Sequence, residues 1–519
     1  RNNMGEMIHR EIMPQRSVDG VNFSQGIIDF NFSTGAPTGW IPHRSYFRIE
    51  MTLEGSGTPV AGLGFQPTLR QQLAYADNAC GNFFDNVYFK GAGQDISTAV
   101  NYVGQSNALK NRLQKTGSWL HTIGKSSYLQ ESDFQKRVNQ VSLDTYINPE
   151  GECERKFIGN EGNQLTGTVA ITAATGALTG AATALTQLKV GDTLVVEGIP
   201  YVCTTEPAAD AGATGVVQPA PLANVAATAN AYIIKNRRRD GGQRNKVFAL
   251  WQPPIGIFDH EGILGSGDWR ISLNPNSNYK FSAIETKQGT NLAAATQAQT
   301  ATGGYNLRIN SIKFYCATVK ASIPQGVSQL YLMESIIQSK PFSSTDTQFE
   351  FTVPSSTRAL TVFLQSNKAG SNPRFPPSMF KLPNDTELSL ESLQITYANT
   401  TKPSTRWSSN FTEVKDGLVG IPSINEFQQR YNDSLSESGL LMSSGGAESF
   451  KDYIARGCFY HYSFTRDSED KSTQVQISAK IGALAVAAGC NLFLCSWYSR
   501  GVELTTTNGS ISEIRSLSV

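Results

Sequence analysis

Strict alternation of apolar and polar residues is the strongest local pattern in this chain. Between residues 47 and 54 every second side chain is apolar, beginning with Phe47 and ending with Leu53. A period of two places the apolar side chains on one face of a strand, as in antiparallel sheets with one buried face. Similar stripes occupy the segments 28–33, 269–273, 349–353 and 475–481. The pattern therefore predicts a chain built largely of antiparallel strands.

Other runs are apolar on both faces and predict strands in the middle of a sheet. They occupy residues 247–251, 359–364 and 492–497. Together, the two patterns predict about eight strands before residue 322 and about eight after it. Those of the first half lie near 26–33, 44–53, 85–90, 245–251, 268–273, 279–285, 305–310 and 311–320. Those of the second half lie near 329–335, 347–353, 359–365, 388–397, 458–465, 473–486, 490–498 and 511–519.

Two of these runs change phase in the middle. The apolar positions move from Ile309 to Ile312 in one run, and from Leu390 to Leu393 in the other. A shift of one residue is what a β-bulge or a bend between strands produces. Near the end of the chain, Asn508 and Gly509 separate two strand-like runs, and this dipeptide favours a type I′ hairpin turn.

Few segments have helical spacing. Ser423 and Glu426 form a capping box that predicts the start of a helix, and Gly439 is placed to end it. A second short helix is expected over residues 447–456. In the first half, Ser97 or Thr98 is expected to cap a helix that continues through Leu113, and residues 131–138 favour one more.

One segment differs from the rest of the chain. Residues 160–232 are rich in Ala, Thr and Gly, and within them residues 188–202 read as two short strands joined by a turn. We interpret the segment as a small β insertion in a long loop, serving either as a functional loop or as neutral surface decoration. The predicted organisation is an N-terminal arm over 1–20, a first β domain over 21–322 and a second over 323–519.

Composition narrows the class of protein. The chain has 519 residues, a formal net charge of +1, 10% aromatic residues and 17% charged residues, whereas an average globular protein has about 25% charged residues. The aromatic content and low net charge exclude a disordered chain, and near-neutrality excludes a scaffold that holds nucleic acid by bulk positive charge. A large chain with so few charges favours a protein that buries much of its outer surface against partners.

The cysteines and the apolar runs exclude other classes. The seven Cys include no CxxC pair, so we expect buried free thiols rather than a zinc site or a disulfide framework. No apolar run reaches the roughly 18 residues of a membrane span. Residues 1–20 contain no apolar core of a secretory signal, so no secretion signal is expected.

Catalytic motifs are scarce, and the sequence predicts a protein that is not an enzyme and needs no cofactor. The segment from Gly124 to Ser126 resembles the end of a P-loop, but Trp119 occupies the position of the first glycine. No GxSxG elbow occurs, and the five His show no metal-ligand spacing. We expect His461, within a strand-like run, to be structural. The acidic residues Asp467, Glu469 and Asp470 favour a solvated turn, with a cation site as the alternative.

Two basic segments are candidate contact sites. One is a run that returns from the insertion, and its contact candidates are Lys235, Arg237, Arg238, Arg239 and Arg244. A solvated loop, salt bridges to a neighbouring subunit and contact with a polyanion all remain open for it. The other is the N-terminal arm, where Arg1, Arg10 and Arg16 are candidates for contact with an inner layer, and simple fraying is the alternative.

The two successive β domains with long, helix-bearing loops resemble the double jelly-roll major capsid proteins. This family includes the adenovirus hexon and the capsid proteins of virophages, polinton-like viruses and large DNA viruses. The resemblance covers most of the chain at the level of pattern and is carried by residues 44–49, 267–273, 427–431, 464–467, 491–498 and 508–511.

The resemblance implies an all-β fold of two tandem eight-stranded antiparallel jelly rolls and a role as a structural subunit of a virion. Such proteins form homotrimers whose six jelly rolls give a near-hexagonal outline that tiles an icosahedral shell around a DNA genome. Neighbouring capsomers, penton proteins and minor capsid proteins are the implied partners, with contact to the genome or an inner membrane through the N-terminal arm. Residues 160–232 would then belong to the outward tower, although their low charge argues against receptor binding.

Two other hypotheses fit an all-β chain. A two-domain carbohydrate-binding protein, such as an adhesin or a phage tail component, would need an exposed aromatic platform. A β-sandwich hydrolase would need a pair of carboxylates that meet in space, and the sequence singles out no such pair.

Overall fold

The chain is described from a computed structural model that carries all side chains. The structure describes residues 6–20, 22–55, 71–75, 78–97, 100–119, 123–124, 163–181, 185–188, 190, 192–234, 246–277, 279, 283–287, 305–321, 323, 325–366, 390–406, 421–439, 453, 459–464, 472–487 and 489–517.

Two antiparallel sheets form a sandwich in the first half of the chain. One has the order β1-β20-β4-β17, with strands Ile8–Ile12, Tyr305–Lys320, Tyr46–Gly55 and Lys246–Trp251. The other has the order β2-β18-β6-β7, with strands Ile28–Ser33, Asp268–Pro275, Phe84–Gly91 and Gln94–Asp95. Short strands extend them, since β3 (Thr38–Trp40) pairs with β20 and β8 (Val100–Asn101) pairs with β6. The strands β5 (Gln71–Tyr75) and β19 (Ala283–Lys287) form a separate two-stranded sheet.

The second half of the chain forms a sandwich of the same kind. One sheet has the order β21-β28-β23-β26, with strands Gly326–Pro341, Cys490–Thr507, Thr357–Ser366 and Tyr460–Ser463. The other has the order β22-β27-β24-β25, with strands Asp346–Thr352, Gln474–Ile481, Leu390–Tyr397 and Thr400–Lys402. A further strand, β29 (Ser510–Leu517), pairs with the later part of β28.

The strand order in both sandwiches is that of a jelly roll. When the eight principal strands of each sandwich are counted along the chain, one sheet has the order first-eighth-third-sixth, and the other second-seventh-fourth-fifth. All neighbouring strands in these sheets are antiparallel. Two interleaved Greek keys in two sheets define the jelly roll. The expected fold of two tandem eight-stranded jelly rolls is confirmed.

The insertion is larger than its sequence pattern predicted. An eight-stranded antiparallel sheet runs from β9 to β16 instead of the two strands expected from residues 188–202. Its strands are Asn163–Gln164, Thr168–Ile171, Ala177–Ala181, Thr193–Val196, Ile199–Thr205, Gly212–Gln218, Val225–Thr228 and Ala231–Ile234. It lies between strands β8 and β17 of the first jelly roll. The many Ala, Thr and Gly residues of these strands weaken the alternation and hide several of the strands from a pattern search.

The alternating stripes supply the jelly-roll cores. In β4, Phe47, Ile49 and Met51 are fully buried, while the polar residues between them are only partly buried or lie at its end. The two phase changes are confirmed as bulges, because the register shifts between Ile309 and Ser311 in β20, and between Leu390 and Ser392 in β24. A bulge lets one long strand keep the same face inward on both sides of the shift.

The predicted hairpin at Asn508 is also confirmed. Thr507 pairs with Ser510, which leaves a turn of only two residues. Asn508 and Gly509 both have positive φ angles, of 53° and 79°. A type I′ turn requires this conformation, and Asn and Gly adopt it most readily.

The helices differ from their predicted starts. The helices are α1 (Ala79–Asn82), α2 (Val103–Gln114), α3 (Gly117–Trp119), α4 (Ile421–Glu437) and α5 (Ala483–Ala487), with 3₁₀ turns at Pro42–Arg44, Leu185–Gln187 and Gly256–Asp259. The capping role predicted for Ser97 or Thr98 is wrong, because strand β8 intervenes and α2 begins after Tyr102 without a side-chain cap. The capping box is also wrong, because α4 begins at Ile421 and Ser423 lies inside it. The helix predicted over 131–138 lies outside the described residues, as does all but Tyr453 of that over 447–456.

Candidate functional site

The cysteines of the described residues are buried and free. Burial raises the pKa of the Cys316 and Cys490 thiols to about 12, and it raises those of Cys80 and Cys495 further. A thiol with such a pKa stays protonated at neutral pH and is a poor nucleophile or metal ligand. The free thiols described are Cys80, Cys203, Cys316, Cys490 and Cys495, whereas Cys153 and Cys458 lie outside the described residues. Among the described residues, no three His, Cys, Asp or Glu side chains are grouped closely enough to hold a metal ion.

His461 is the expected structural histidine. It is buried in β26, and its Nδ1 lies 2.8 Å from the hydroxyl oxygen of Thr361. Trp497 Nε1 donates a hydrogen bond of 2.8 Å to that same hydroxyl, so Thr361 can donate its own proton onward to His461. Burial lowers the pKa of His461 to about 4, so the ring is neutral at physiological pH. The Thr361 hydroxyl thus links strands β23, β26 and β28 of one sheet.

The acidic cluster Asp467, Glu469 and Asp470 lies outside the described residues.

The two jelly rolls share their cores through helix α2. Leu109 and Leu113 of this helix are buried in the hydrophobic cluster of the second jelly roll, although α2 belongs to a loop of the first. Two polar contacts secure it there. Gln105 donates to the side-chain oxygen of Gln365 over 3.2 Å, and the Ser106 and Ser335 hydroxyls lie 2.6 Å apart. The helix is buried along nearly its whole length, so it acts as a structural peg between the two units.

The exchange also runs in the opposite direction. Leu332, Val502, Leu504 and Ile514 belong to the second jelly roll or to the strand that follows it, yet they are buried in the hydrophobic cluster of the first. A Cβ atom at Gly91 would lie 2.7 Å from the Trp269 ring and 2.8 Å from the end of the Ile514 side chain, so any larger residue would have to displace these side chains. Each jelly roll therefore completes the core of the other.

Charged and backbone contacts border this shared core. Lys110 on α2 forms a salt bridge of 2.6 Å with Asp259, which ends the 3₁₀ turn of the first jelly roll. Ser266 donates from its hydroxyl to the Gly509 carbonyl over 3.0 Å, and the Ile511 amide donates back to the Ser266 carbonyl over 2.6 Å. These bonds tie the C-terminal hairpin of the second jelly roll to the first.

The sheet β1-β20-β4-β17 of the first jelly roll carries an uncovered polar and aromatic surface. We call this surface the open face, and it consists of His9, Glu11, Tyr46, Arg48, Lys313 and Tyr315 on strands β1, β4 and β20. Glu11 lies at its centre, where Lys313 Nζ donates to one carboxylate oxygen over 2.6 Å and the Tyr315 hydroxyl donates to the other over 2.9 Å. The Glu11 side chain is nevertheless 40% exposed.

Stacked rings surround the Glu11 carboxylate. The Tyr46 and Tyr315 rings stack with their centroids 5.3 Å apart and their planes within 11°. The His9 ring contacts Tyr46, and its Nε2 lies 3.1 Å from the Arg44 carbonyl. At the far edge of the sheet, the Arg48 guanidinium lies 4.5 Å from the centre of the exposed Phe248 ring. The rings and the ion pair therefore form one continuous set of contacts across β1, β4 and β20.

The pKa values on the open face match these contacts. The hydrogen bonds from Lys313 and then from Tyr315 lower the pKa of the Glu11 carboxyl. The same bond to Glu11 raises the pKa of Lys313. Partial burial raises the pKa of Tyr46. Glu11 and Lys313 are therefore both charged over a wide range around neutral pH.

The arm candidates of the sequence prediction are partly integrated into the first jelly roll. Arg10 lies in β1, at the edge of the sheet, and donates to the Ser33 carbonyl over 3.2 Å. Arg16 donates to the Phe23 and Gly26 carbonyls over 2.8 and 2.7 Å, so it closes the turn before β2. Arg1 lies outside the described residues. Contact of these residues with an inner layer stays a prediction.

The basic run cannot be placed in the same way. Lys235, Arg237, Arg238, Arg239 and Arg244 all lie outside the described residues, between β16 and β17. Their proposed role in subunit contact stays a prediction.

The open face was missed by the sequence interpretation. Its signals were present, because Tyr46 directly precedes the strongest alternating run and Tyr315 lies in a predicted strand. Glu11 gave no comparable signal, since β1 is short and precedes the first strand that was predicted. Pairing across strands decides which of these side chains meet, and spacing along the chain does not reveal it.

No helix in the described part of the chain has the length and apolar character needed to cross a membrane. The chain matches no family model and no curated protein. Among the solved structures that match it, three examples do so along almost its entire length. The cryo-EM structure of the Sputnik virophage covers 99% of this chain and 89% of its own, with 10% identity and a TM-score of 0.46.

The other two matches are of similar quality. The mavirus major capsid protein covers 98% of this chain and 90% of its own, with 11% identity and a TM-score of 0.41. The PBCV-1 virus capsid covers 99% and 97%, with 7% identity and a TM-score of 0.43. The strand order of the chain itself identifies the fold.

Proposed function

We propose that the chain is a viral major capsid protein, a structural subunit that associates with copies of itself in the virion. The observation that carries the proposal is the pair of jelly rolls with identical strand order, joined side by side through shared cores. Jelly rolls are recurrent units of viral capsids. Interlocked cores make the pair a single building block, which is what a shell needs.

The repeated architecture supports a trimeric capsomer. Three copies of a chain with two similar units present six units around one axis, and a six-unit ring tiles a hexagonal lattice although its symmetry is only threefold. We propose that such homotrimers tile an icosahedral shell around a DNA genome, with penton and minor capsid proteins as further partners. A net charge of +1 leaves genome condensation to other components.

The proposed division of the chain follows from the same argument. We propose residues 21–322 as the first jelly-roll unit, residues 323–519 as the second and residues 160–232 as outward tower material. Residues 1–20 remain the proposed arm, although β1 contributes to the first sheet. The proposal assigns no enzymatic role and no cofactor to the chain.

The oligomeric state of the purified protein tests this function. Light scattering coupled to size-exclusion chromatography is expected to give three times the chain mass of 56.3 kDa at micromolar concentration, also in high salt. Negative-stain images are expected to show near-hexagonal particles. A stable monomer would count against the proposal. Glycan binding by that monomer would instead support the two-domain carbohydrate-binding alternative.

A further inference from the structure

Histidines gather around one arginine of the first jelly roll. In the 3₁₀ turn Pro42–Arg44, which we call the arginine turn, Arg44 Nε donates a hydrogen bond of 3.2 Å to His43 Nε2. The other nitrogen of that ring, Nδ1, lies 3.2 Å from the carbonyl oxygen of His260. A third ring, that of His9 on β1, meets the Arg44 carbonyl through its Nε2 over 3.1 Å. Three histidines that are distant in sequence therefore lie at one place.

These contacts fix the protonation state of His43. An arginine Nε carries a proton and can only donate, so His43 Nε2 must accept, and the single proton of the neutral ring lies on Nδ1. Nδ1 then donates to the His260 carbonyl. A second proton on the ring would replace the acceptor at Nε2 with a donor that faces the Arg44 cation. The arrangement therefore exists only while His43 is neutral.

The residue at the other end of this contact also resists protonation. Burial, and then the charge of His43, lower the pKa of His260. The His260 ring packs against Gly262, where a Cβ atom would lie 2.5 Å from its Nε2. Two rings that would repel each other when charged therefore lie close together, beside a permanent cation.

The far end of this contact lies at the turn between the two jelly rolls. We call the 3₁₀ turn Gly256–Asp259 the joint turn, and His260 directly follows it. A Cβ atom at Gly256 would lie 2.7 Å from the backbone oxygen of Met333 on β21, so the start of the turn packs against the second jelly roll. Its end is paired with α2 through the salt bridge of Asp259. The histidine contact therefore holds in place a turn that contacts both β21 and α2.

Other charged groups around the contact do little to balance added protons. They are His9, Arg44, Lys110, Asp259 and Glu261. Asp259 is already paired with Lys110 over 2.6 Å, and Glu261 is exposed to water, which weakens its attraction for a charged ring. Protonating His9 leaves its bond to the Arg44 carbonyl in place, because Nε2 is the donor of that bond in either state. Acid therefore acts through His43 and His260.

We propose that Arg44, His43 and His260 form an acid-sensitive latch that holds the joint turn against the second jelly roll. Histidine titrates near pH 6.5 when nothing restrains it. The closed latch excludes protons that the open form takes up, so the latch is closed above this pH and weakens as the pH falls below it. Proton uptake breaks the bond to Arg44 and drives the two turns apart. The inference concerns the single chain, so it goes beyond the proposed function and does not depend on the oligomeric state.

Hydrogen–deuterium exchange of the unchanged protein tests the latch, with intrinsic exchange rates corrected for pH. Amides of the joint turn and of α2 are expected to lose about tenfold in protection between about pH 7.5 and about pH 5.5, because excluding one histidine proton favours opening about tenfold for each pH unit below 6.5. The His260 amide, which donates to the Ile257 carbonyl, is the direct reporter. The insertion contains no histidine and is expected to keep its protection.

A matched pair of variants identifies the residue that responds to acid. His43→Asn keeps a donor towards the His260 carbonyl but cannot take up a proton, so it is expected to reduce the tenfold acid response to about twofold. His9→Gln keeps a donor towards the Arg44 carbonyl and removes a histidine whose bond does not depend on its charge. It is expected to retain the full acid response of the unchanged protein.

Each outcome decides the inference. Unchanged protection of the joint turn at the lower pH would overturn it, as would a full acid response in His43→Asn. An equal loss of protection in the insertion or in β28 would also overturn it, because acid would then act on the whole chain. Opening of the joint turn while α2 keeps its protection would refute the coupling to the second jelly roll. A monomeric protein with the full response would contradict the proposed function and support the latch.

Discussion

The insertion and the jelly rolls differ in how they bury their hydrophobic cores. Every member of the insertion's hydrophobic cluster lies between Leu165 and Ile233, so its core is closed within its own sheet. The jelly-roll clusters cross from one unit to the other in both directions, through Leu109 on one side and Ile514 on the other. The insertion is therefore a self-contained unit, whereas the two jelly rolls are parts of one unit.

The difference teaches that a shared strand order does not make two independent domains. The jelly rolls have the same topology, yet each buries residues of the other. The insertion has a smaller, mostly aliphatic core, with Tyr201 as its one aromatic member, and still needs nothing from outside. Its end strands lie side by side, with Asn163 opposite Ile233, so the chain enters and leaves it at neighbouring points.

Truncating Leu109 of helix α2 is expected to have the largest effect on the free energy of unfolding. Leu109→Ala removes a fully buried side chain from the second core, which is expected to cost about 2–5 kcal/mol of the free energy of unfolding. Urea unfolding followed by tryptophan fluorescence measures it, because all six Trp lie outside residues 163–234. Both jelly rolls are expected to unfold in one transition, at a lower urea concentration.

The matched control is Leu178→Ala, which truncates a fully buried leucine of the insertion. It is expected to leave the tryptophan-detected transition unchanged. If Leu178→Ala shifts that transition as far as Leu109→Ala does, the insertion is not self-contained.

Acid is expected to weaken the second jelly roll through His461. Burial lowers the pKa of His461 from 6.5 to about 4, so the unfolded chain binds a proton that the folded chain refuses. This contribution is complete above pH 6.5 and is lost as the pH falls towards 4. At about 1.4 kcal/mol per pKa unit, it amounts to about 3 kcal/mol.

Comparison with the variant His461→Gln isolates this contribution, since the carboxyl groups titrate equally in both proteins. The stability difference between the two proteins is expected to shrink between pH 6.5 and 4 in the tryptophan-detected transition. The insertion contains no histidine, so its own unfolding is expected to show no such difference. A pH-independent difference would contradict the assignment of a neutral buried ring.

The two tyrosine–glutamate pairs differ in burial, so we expect their hydrogen bonds to differ in energy. Tyr498→Phe leaves the buried Glu334 without this hydrogen bond and is expected to cost about 1–3 kcal/mol in the unassembled protein. Tyr315→Phe affects the exposed Glu11 and is expected to cost within about 0.5 kcal/mol there. Chemical unfolding of the two variants below the dissociation concentration measures both. Equal costs in that state would show that the two pairs do not differ in environment.

Removing the insertion is expected to have the smallest effect. Residues 163–234 can be replaced by a short linker, because strands β9 and β16 are neighbours in their sheet and the cut ends lie close together. The tryptophan-detected free energy of unfolding is expected to change by about 0.5 kcal/mol or less. Unfolding of the jelly rolls after this excision would show that they depend on the insertion.

The sequence pattern predicted those features that depend only on neighbouring residues. The stripe from Phe47 to Leu53, the bulge after Ile309 and the turn at Asn508 all followed from neighbouring residues alone. Starts of helices were less predictable, because α2 begins after a strand that only pairing with β6 reveals. Weak alternation among Ala, Thr and Gly likewise concealed most of the insertion.

Features that depend on distant pairing were not predictable from spacing. The peg at Leu109 reads as an ordinary apolar position of a short helix, and nothing beside it indicates that its partners lie more than 200 residues away. The open face has the same character. Glu11 and Tyr315 meet only because β1 pairs with β20, and their likeness to Glu334 and Tyr498 appears once the two sheets are compared.

The burial of Ile514 in the first core has a consequence for the order of events during synthesis. Domains usually fold one after another as they leave the ribosome, at about 5–20 residues per second. Here the first jelly roll cannot fill its core until residue 514 has been made, so its apolar surface waits while the second unit is translated. During that interval nascent chains on one polysome can associate through this surface, so we expect added chaperones to raise the yield of folded protein.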